Sequence, residues 1–213
     1  MYQDDNIYIP HMNVENLQVT TGVSAGSDDR RQDIVLAAFQ LIASKGVEGL
    51  RTRDVAARAG MNIGTLYYYF STKERLIQGV VDYIVQHIVV VQEPVSTVSV
   101  NTSVDVLHQH LANLTHKLIM TPEIFRVMGE LLLRCERDQA IYPILKKTDD
   151  DWKQYLIDLL VEGIRQGYFR ADLNPALTAH TIMSFFKGAT LQLGMPHEEL
   201  EQTVAQFERL LLA

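Results

Sequence analysis

Hydrophobic residues recur every three to four positions over most of the chain, which is the spacing of one face of an α-helix. The clearest stripe predicts a helix from about Lys73 to Gln92, ended by Pro94, and it consists of Ile77, Val80, Val81, Ile84, Ile88 and Val91. Similar stripes predict further helices at about 103–119, 122–136, 138–147, 150–167, 175–193 and from Pro196 onward. Residues 95–100 would suit a strand by local propensity, but we expect a loop there. The pattern therefore predicts an all-α protein.

Two short helical patterns precede these long helices and are joined by the sequence AGMN. The hydroxyl of Thr52 is expected to cap the first short helix, and Asn62 is expected to cap the second. Gly60 stands where a helix commonly ends in the left-handed conformation, which glycine adopts at little cost. Leu66 and Phe70, four residues apart, mark the buried side of the second helix. The segment is thus predicted to be a helix-turn-helix whose second helix has about two turns.

The second short helix carries three consecutive tyrosines, Tyr67, Tyr68 and Tyr69. Successive helical residues point about 100° apart, so the three rings cannot all be buried. Aromatic hydroxyls that are exposed between arginine and lysine suit a helix that meets phosphates and base edges. The alternative is that the tyrosines only pack between helices.

Residues 30–80 resemble the DNA-binding domain of the tetracycline-repressor (TetR) family, with that family's usual spacings. The tracts that carry the resemblance are Ala37-Ala38-Phe39, KGVEGL, TRDVAARAG, GTLYYYF and STKERL. Together they cover roughly a quarter of the chain and are far more specific than a helix-turn-helix pattern alone. There are two departures, since Tyr69 stands where the family often has histidine and Asn62 where it often has serine or another small residue. Both departures keep a hydrogen-bonding side chain.

The resemblance implies DNA-binding roles for residues of this segment. The residues that would hold phosphates are Thr52, Arg53, Tyr67, Tyr69 and Lys73. Those that would let the helix N-terminus approach the DNA backbone closely are Gly64 and Thr65. Those that would lie nearest to base edges are Asn62, Ile63 and Tyr68. Physical chemistry supports part of this assignment, because amides at a helix N-terminus favour an anion and Gly64 has no side chain to obstruct it.

Charge is distributed unevenly along the chain. The whole sequence carries a net charge of −7, whereas residues 30–75 carry +4, residues 1–29 carry −5 and residues 76–213 carry −6. A basic head on an acidic body orients the molecule toward a polyanion. We therefore expect a fold of three parts: a flexible acidic extension at 1–28, a helix-turn-helix DNA-binding domain at 29–75, and a helical domain for effector binding and dimerisation at 76–213.

The N-terminal segment is polar and acidic and shows no helical period, so we expect no ordered element in residues 1–28. One interpretation is a disordered tail, or a start of translation at Met12. The other hypothesis is that Ile7, Tyr8 and Ile9 dock on a neighbouring surface.

Cys135 is the only cysteine in the sequence. It cannot form an intrachain disulfide, and we expect a buried small hydrophobic residue rather than a redox sensor. The acidic N-terminus lacks the cationic region of a signal peptide, and no apolar run has the length of a membrane span. Together these features favour the reducing cytoplasm.

A homodimer is the expected assembly. By resemblance, the helices at about 150–167 and 175–193 would pair with their copies in a second subunit as a four-helix bundle. Ser184 and Gly188 are four residues apart, so a partner helix could approach closely there. Two recognition helices about one DNA turn apart would then bind a palindrome. The alternative is that these positions are intramolecular core.

The resemblance also implies an unidentified small-molecule effector bound in the body. The candidate lining residues mix apolar surface with a few polar groups and are His108, His110, Leu111, Leu114, Phe125, Met128 and Leu132. The alternative is that these residues are ordinary core. The histidines show no metal-ligand spacing, and His108 and His110 diverge on a helix, so we expect neither a metal ion nor a cofactor.

We interpret the sequence as a sequence-specific DNA-binding transcriptional regulator, a repressor that a small molecule releases from a palindromic operator. An effector-independent regulator or activator is the alternative. An all-helical enzyme is disfavoured, because the sequence has no nucleophile elbow, Walker lysine loop, HExxH motif or paired carboxylates. The acidic run Asp149-Asp150-Asp151 is expected at the start of a helix, where acidic residues are favourable.

Overall fold

The structure, a computed structural model, describes residues 25–89, 102–191 and 196–213. Helices account for nearly all of these residues, and their order is α1 (Ala25–Lys45), a short 3-10 helix (Val47–Gly49), α2 (Thr52–Arg58), α3 (Ile63–Tyr69), α4 (Lys73–Val89), α5 (Ser103–Met120), α6 (Pro122–Cys135), α7 (Tyr142–Arg165), α8 (Pro175–Ala189) and α9 (His197–Leu211). An isolated antiparallel bridge joins Phe169 to Leu212, and these ranges contain no β-strand. The all-α prediction is confirmed.

The first four helices form a small N-terminal unit, which we call the head: α1, α2, α3 and the first turns of α4. Helix α1 packs against both α2 and α4, and α2 packs against α3. Ile34, Leu66 and Leu76 are completely buried between them. Gly79 of α4 allows the closest approach, since a Cβ there would lie 3.0 Å from the ring of Phe70 and 3.1 Å from Val35.

The body consists of the rest of α4 together with α5 to α9. Helices α7 and α8 form the most extensive pairing, and α5 packs against α6, α7 and α9. Leu131, Leu156 and Leu160 are completely buried at the centre. Asn174 caps α8 by accepting from the amide of Leu177 at 3.1 Å. None of the helices in the described ranges is long and apolar enough to span a bilayer.

The sequence predicted two helices, at 138–147 and from about 150, where the structure has the single helix α7. The predicted break fell on the polar run at residues 146–151, which has no hydrophobic stripe. In the structure this run is a solvated helical face, on which Lys146 pairs with Asp150 and Lys147 pairs with Asp151 four residues on. The acidic run at 149–151 therefore lies in the middle of a helix, and its assignment to a helix start was wrong.

The boundary of the N-terminal extension is also corrected. Helix α1 begins at Ala25, inside the segment 1–28 that was expected to have no ordered element. The polar residues there suit the first turn, because Asp28 lies near the positive end of the helix. Residues 1–24 lie outside the described part of the chain, and so do the docking hypothesis for Ile7, Tyr8 and Ile9 and the loop expected at 95–100.

Two smaller expectations are wrong. Cys135 is half-buried rather than buried, and its Sγ lies 3.0 Å from the carbonyl oxygen of Leu132. Helix α8 ends at Ala189, short of the predicted residue 193. In contrast, the predicted end of the preceding helix at Gly167 is confirmed, because Gly167 follows α7 with a φ of +78°.

Candidate nucleic-acid interface and effector cavity

The turn between α2 and α3 is built as the sequence predicted. Gly60 has a φ of +66°, and the amide of Met61 donates to the carbonyl of Ala56 at 2.9 Å. The side chain of Asn62 then caps α3, since its Oδ1 accepts from the amide of Thr65 at 2.9 Å. These contacts fix the direction in which the second helix leaves the turn.

The buried side of α3 holds it against the head. Leu66 is completely buried and Phe70 is 2% exposed, as predicted. The guanidinium of Arg31 in α1 lies 5.0 Å from the centre of the Phe70 ring, a cation–π contact. The opposite side of α3 is therefore presented outward by a rigid support.

The outward side of α3 carries the residues that the sequence singled out. Tyr68 is 80% exposed, Tyr67 is 48% exposed and Ile63 is 37% exposed. Tyr69 is half-buried, and the ring of Tyr68 stands edge-on to it at 5.1 Å. The prediction that the three rings cannot all be buried is confirmed, and packing between helices does not account for Tyr67 and Tyr68.

The other candidate residues surround this face. Those that are exposed are Arg53, Asn62 and Gly64. Those that are half-buried are Thr52, Thr65 and Lys73. Lys73 begins α4 immediately after α3, and the hydroxyl of Thr72 caps that helix by accepting from the amide of Arg75 at 3.2 Å.

Thr52 does not cap α2. Arg51 occupies the N-cap position, without a side-chain hydrogen bond, and Thr52 is the first helical residue. The hydroxyl oxygen of Thr52 instead lies 3.4 Å from that of Tyr67. The expectation was wrong because the helix starts at Thr52 itself, one residue earlier than a cap at this threonine would need. The contact with Tyr67 instead links the start of α2 to the outer face of α3.

A cavity of about 210 Å³ lies in the body, between α5, α6, α7 and α8. Five of the predicted lining residues contribute to it: His110, Leu114, Phe125, Met128 and Leu132. Two do not. His108 points to α9, where its Nδ1 lies 3.1 Å from the carboxylate of Glu208, and Leu111 is 1% exposed in the core. The error arose from treating one helix face as one surface, whereas α5 divides its faces between α7 and α9.

The sequence reasoning missed the part of the cavity wall that α7 and α8 provide. Trp152 donates its Nε1–H to Nε2 of His110 at 3.0 Å, and burial lowers the pKa of His110 to about 4. Lys187 of α8 pairs with Asp149 of α7 at another part of the wall. A signal for the first pair existed, because an indole N–H on an apolar helix face needs an acceptor.

The helix-turn-helix segment matches a known family. Residues 34–80 match the family model described as bacterial regulatory proteins, tetR family. This segment therefore carries the DNA-binding domain of that family. Over 50 residues it is 38% identical to the HTH-type transcriptional regulator PksA of Bacillus subtilis, an alignment that spans 24% of each chain.

Two further comparisons extend beyond the head. Over 162 residues the chain is 24% identical to the HTH-type transcriptional repressor KstR2 of Mycobacterium tuberculosis, and this alignment covers 71% of the chain and 75% of KstR2. The crystal structure of a TetR transcriptional regulator from Chloroflexus aurantiacus matches with a TM-score of 0.72 at 19% identity, covering 89% of this chain and all of that one. The structural match shows the fold, and both curated relatives are named as transcriptional regulators. The chain is a DNA-binding transcriptional regulator.

The outer face of α8 is open. Leu177 and Leu191 are 66% and 71% exposed, and Ser184 between them is exposed as well. A Cβ added at Gly188 would meet no atom within 4 Å. Val161 on the neighbouring α7 is 49% exposed. We call these exposed apolar and small residues the α8 face; Leu191 lies just beyond the end of α8 and also borders the cavity.

Helix α6 contacts both the head and the cavity. Arg134 pairs with Glu48 of the 3-10 helix in the head. Its Nε also lies 3.6 Å from the Oδ2 of Asp138, which follows the end of α6. Glu130 lies beside the head as well, since a Cβ on Gly46 would come within 3.3 Å of its carboxylate. Met128, on the same helix, lines the cavity. One helix thus joins the two parts of the molecule.

Proposed function

We propose that this tetR-family protein is a homodimeric repressor that leaves a palindromic operator when a small molecule enters the cavity in its body. The observation that carries the proposal is the exposed aromatic face of a capped, rigidly supported recognition helix, α3. Because a DNA-binding regulator works where the chromosome is, we infer a cytoplasmic location. The proposed DNA-binding domain comprises 29–75, extended at its N-terminus by the start of α1, and the proposed effector and dimerisation domain comprises 76–213.

The phosphate contacts would come from the rim of this face. The hydroxyls of Thr52 and Tyr67 are close enough to donate to one phosphate. Arg53 and Lys73 would add charge, and Tyr69 would add a hydroxyl from the half-buried side. Oxygens of the DNA backbone could reach the N-terminus of α3 over Gly64, which has no side chain.

The base contacts would come from the start and the outermost position of α3. The Oδ1 of Asn62 is engaged by the amide of Thr65, so its NH₂ group remains available as a donor. Ile63 and Tyr68 provide exposed apolar surface, which suits contact with thymine methyl groups. Thr65 lies half-buried beside them.

Dimerisation is proposed through the α8 face, with the helices at 150–167 and 175–193 forming a four-helix bundle. Exposed leucines around small residues offer a partner helix both apolar area and close approach. Two copies of α3 would then contact successive turns of the major groove. Effector binding would change the separation of the heads through α6, which touches the cavity and the head.

The DNA-binding part is tested with double-stranded fragments that flank the protein's own gene, by fluorescence anisotropy. The double variant Tyr67→Ala, Lys73→Ala should lose binding at least tenfold and remain dimeric. The matched control Tyr142→Ala, Lys147→Ala removes the same residue types from the exposed body surface and should bind as the wild type does. Loss of dimerisation in the first variant, or equal binding by both, would contradict the assignment of α3.

The dimer is tested with Ser184→Arg, which places a long cation on the α8 face. Sedimentation velocity should show a monomer, and operator affinity should fall because two half-sites are no longer bound together. Glu201→Arg on the exposed side of α9 is the control, and it should stay dimeric. A wild-type protein that sediments as a monomer would refute the assembly.

A further inference from the structure

The polar groups on the wall of the cavity are few, and most of them are already engaged. The hydroxyl of Thr148 donates to the carbonyl of Ile144 at 3.2 Å, and that of Thr190 donates to the carbonyl of Lys187 at 2.7 Å. The rest of the wall is largely apolar, with Leu114 and Phe186 among its side chains. A molecule inside the cavity therefore meets mainly hydrocarbon surface.

The charges on the wall compensate each other. Lys187 and Asp149 are the charged residues among the described residues that line the cavity, and they form an ion pair. A carboxylate or an amine in the cavity would have to displace one partner or remain unpaired in an apolar site, and either is costly. The wall thus favours an uncharged molecule.

His110 differs from these groups, because only one of its two ring nitrogens is engaged. The indole N–H of Trp152 can only donate, so Nε2 of His110 must be the acceptor and carry no proton. A neutral imidazole then carries its proton on Nδ1. Among the residues that the structure describes, the hydrogen bond of His110 is the one to Trp152, so this Nδ1–H has no partner there. Trp152 therefore fixes the tautomer in which His110, a residue of the cavity wall, keeps an unpaired donor.

We propose that the effector is an uncharged, mainly apolar small molecule whose oxygen acceptor binds the Nδ1–H of His110. This proposal rests on the proposed function, since it names the class of molecule that the cavity of the repressor takes. The size of the cavity, about 210 Å³, suits a molecule of about one or two rings, because apolar protein cavities of about 150 Å³ take up benzene. Trp152 acts as a positioning residue, and His110 is the donor that selects the ligand.

Three probes of nearly the same shape separate the possibilities: 4-tert-butylcyclohexanone, the alkene in which a methylene group replaces its carbonyl oxygen, and 4-tert-butylcyclohexanecarboxylate. Binding is followed by fluorescence, because Trp152 is the only tryptophan in the sequence and lines the cavity. We expect the ketone to bind at least tenfold more tightly than the alkene, since the alkene leaves the Nδ1–H donor of His110 unpaired. The carboxylate should bind more weakly than the ketone.

Variants of His110 identify the donor. His110→Phe should remove the preference for the ketone over the alkene, and His110→Gln, whose amide can both accept from Trp152 and donate to the ligand, should keep part of it. His108→Phe, two residues earlier on the same helix but outside the cavity, should leave the preference unchanged. The His110→Gln result remains informative if His110→Phe does not fold.

Other outcomes overturn the proposal. Tightest binding of the carboxylate would mean that Lys187 takes an anion. Equal binding of ketone and alkene by the wild type, or no binding of any probe, would remove the role of His110. Operator binding is measured on the same preparations. Normal operator binding without probe preference refutes only the ligand class, whereas absence of operator binding refutes the proposed function.

Discussion

Gly163 shows how tightly single residues are constrained in the body. It lies in α7, and a Cβ at this position would come within 2.2 Å of the buried ring of Phe169. We expect Gly163→Ala to lower the free energy of unfolding by about 1–3 kcal/mol, because either the ring or the helix must shift. Urea unfolding measures the loss.

Gly129→Ala is the matched control, since a Cβ there meets no atom within 4 Å. It should leave stability unchanged or raise it by about 0.5–1 kcal/mol through helix propensity. A Gly163→Ala protein as stable as this control would show that Phe169 has room to move.

His110 makes stability depend on pH. Burial lowers its pKa in the folded protein to about 4, whereas an unfolded histidine titrates near 6.5. The unfolded state therefore binds a proton first as pH falls, so stability decreases between about pH 6.5 and pH 4 and stops decreasing below that range. The contribution of this one group is at most about 3 kcal/mol.

The measurement is urea unfolding at several pH values for the wild type and His110→Gln, because carboxylates and other histidines also titrate. The difference between the two stabilities should change in favour of the variant as pH falls from 7 to 4. A constant difference across this range would mean that His110 takes up its proton freely in the folded protein.

Asn62 caps α3 and is also proposed to contact bases, so its two roles can be separated by substitution. We expect Asn62→Ser to keep the stability of the head, because serine caps as well as asparagine does, whereas Asn62→Ala should cost about 1 kcal/mol. The serine variant should nevertheless lose about 1–3 kcal/mol of operator affinity, since the amide NH₂ is gone. Thermal unfolding and anisotropy titrations separate the two effects, and unchanged affinity of Asn62→Ser would limit Asn62 to capping.

The elements of the head could be predicted from sequence because their signals are local. Gly60, Asn62, Leu66 and Phe70 each specify a turn, a cap or a buried position within a few residues. The single helix α7 was not predicted, because its polar residues 146–151 interrupt the hydrophobic stripe in the sequence. In the folded helix such residues pair with each other, as Lys146 does with Asp150. The Trp152–His110 contact spans 42 positions and depends on how α5 meets α7, which no local pattern contains.

At the scale of the whole molecule, the basic head on an acidic body governs how binding responds to salt. We expect about four to six phosphate contacts per subunit. In a plot of the logarithm of affinity against the logarithm of salt concentration, each contact should contribute about −0.9 to the slope. Lys73→Ala should lower this slope by about one per subunit and weaken binding to all sequences similarly. Titrations between about 50 and 200 mM salt measure it, and a flat dependence would exclude this binding mode.

Helix α4 belongs to both halves of the molecule. Its first residue, Lys73, follows closely after α3, and Val85, three turns later, borders the cavity. Its 17 residues make a rod about 25 Å long. A rod of this length amplifies small rotations, so that a tilt of about 10° at the inner end carries the outer end about 4 Å sideways. Two subunits tilting in opposite senses would double that displacement, which is a large fraction of the width of a major groove.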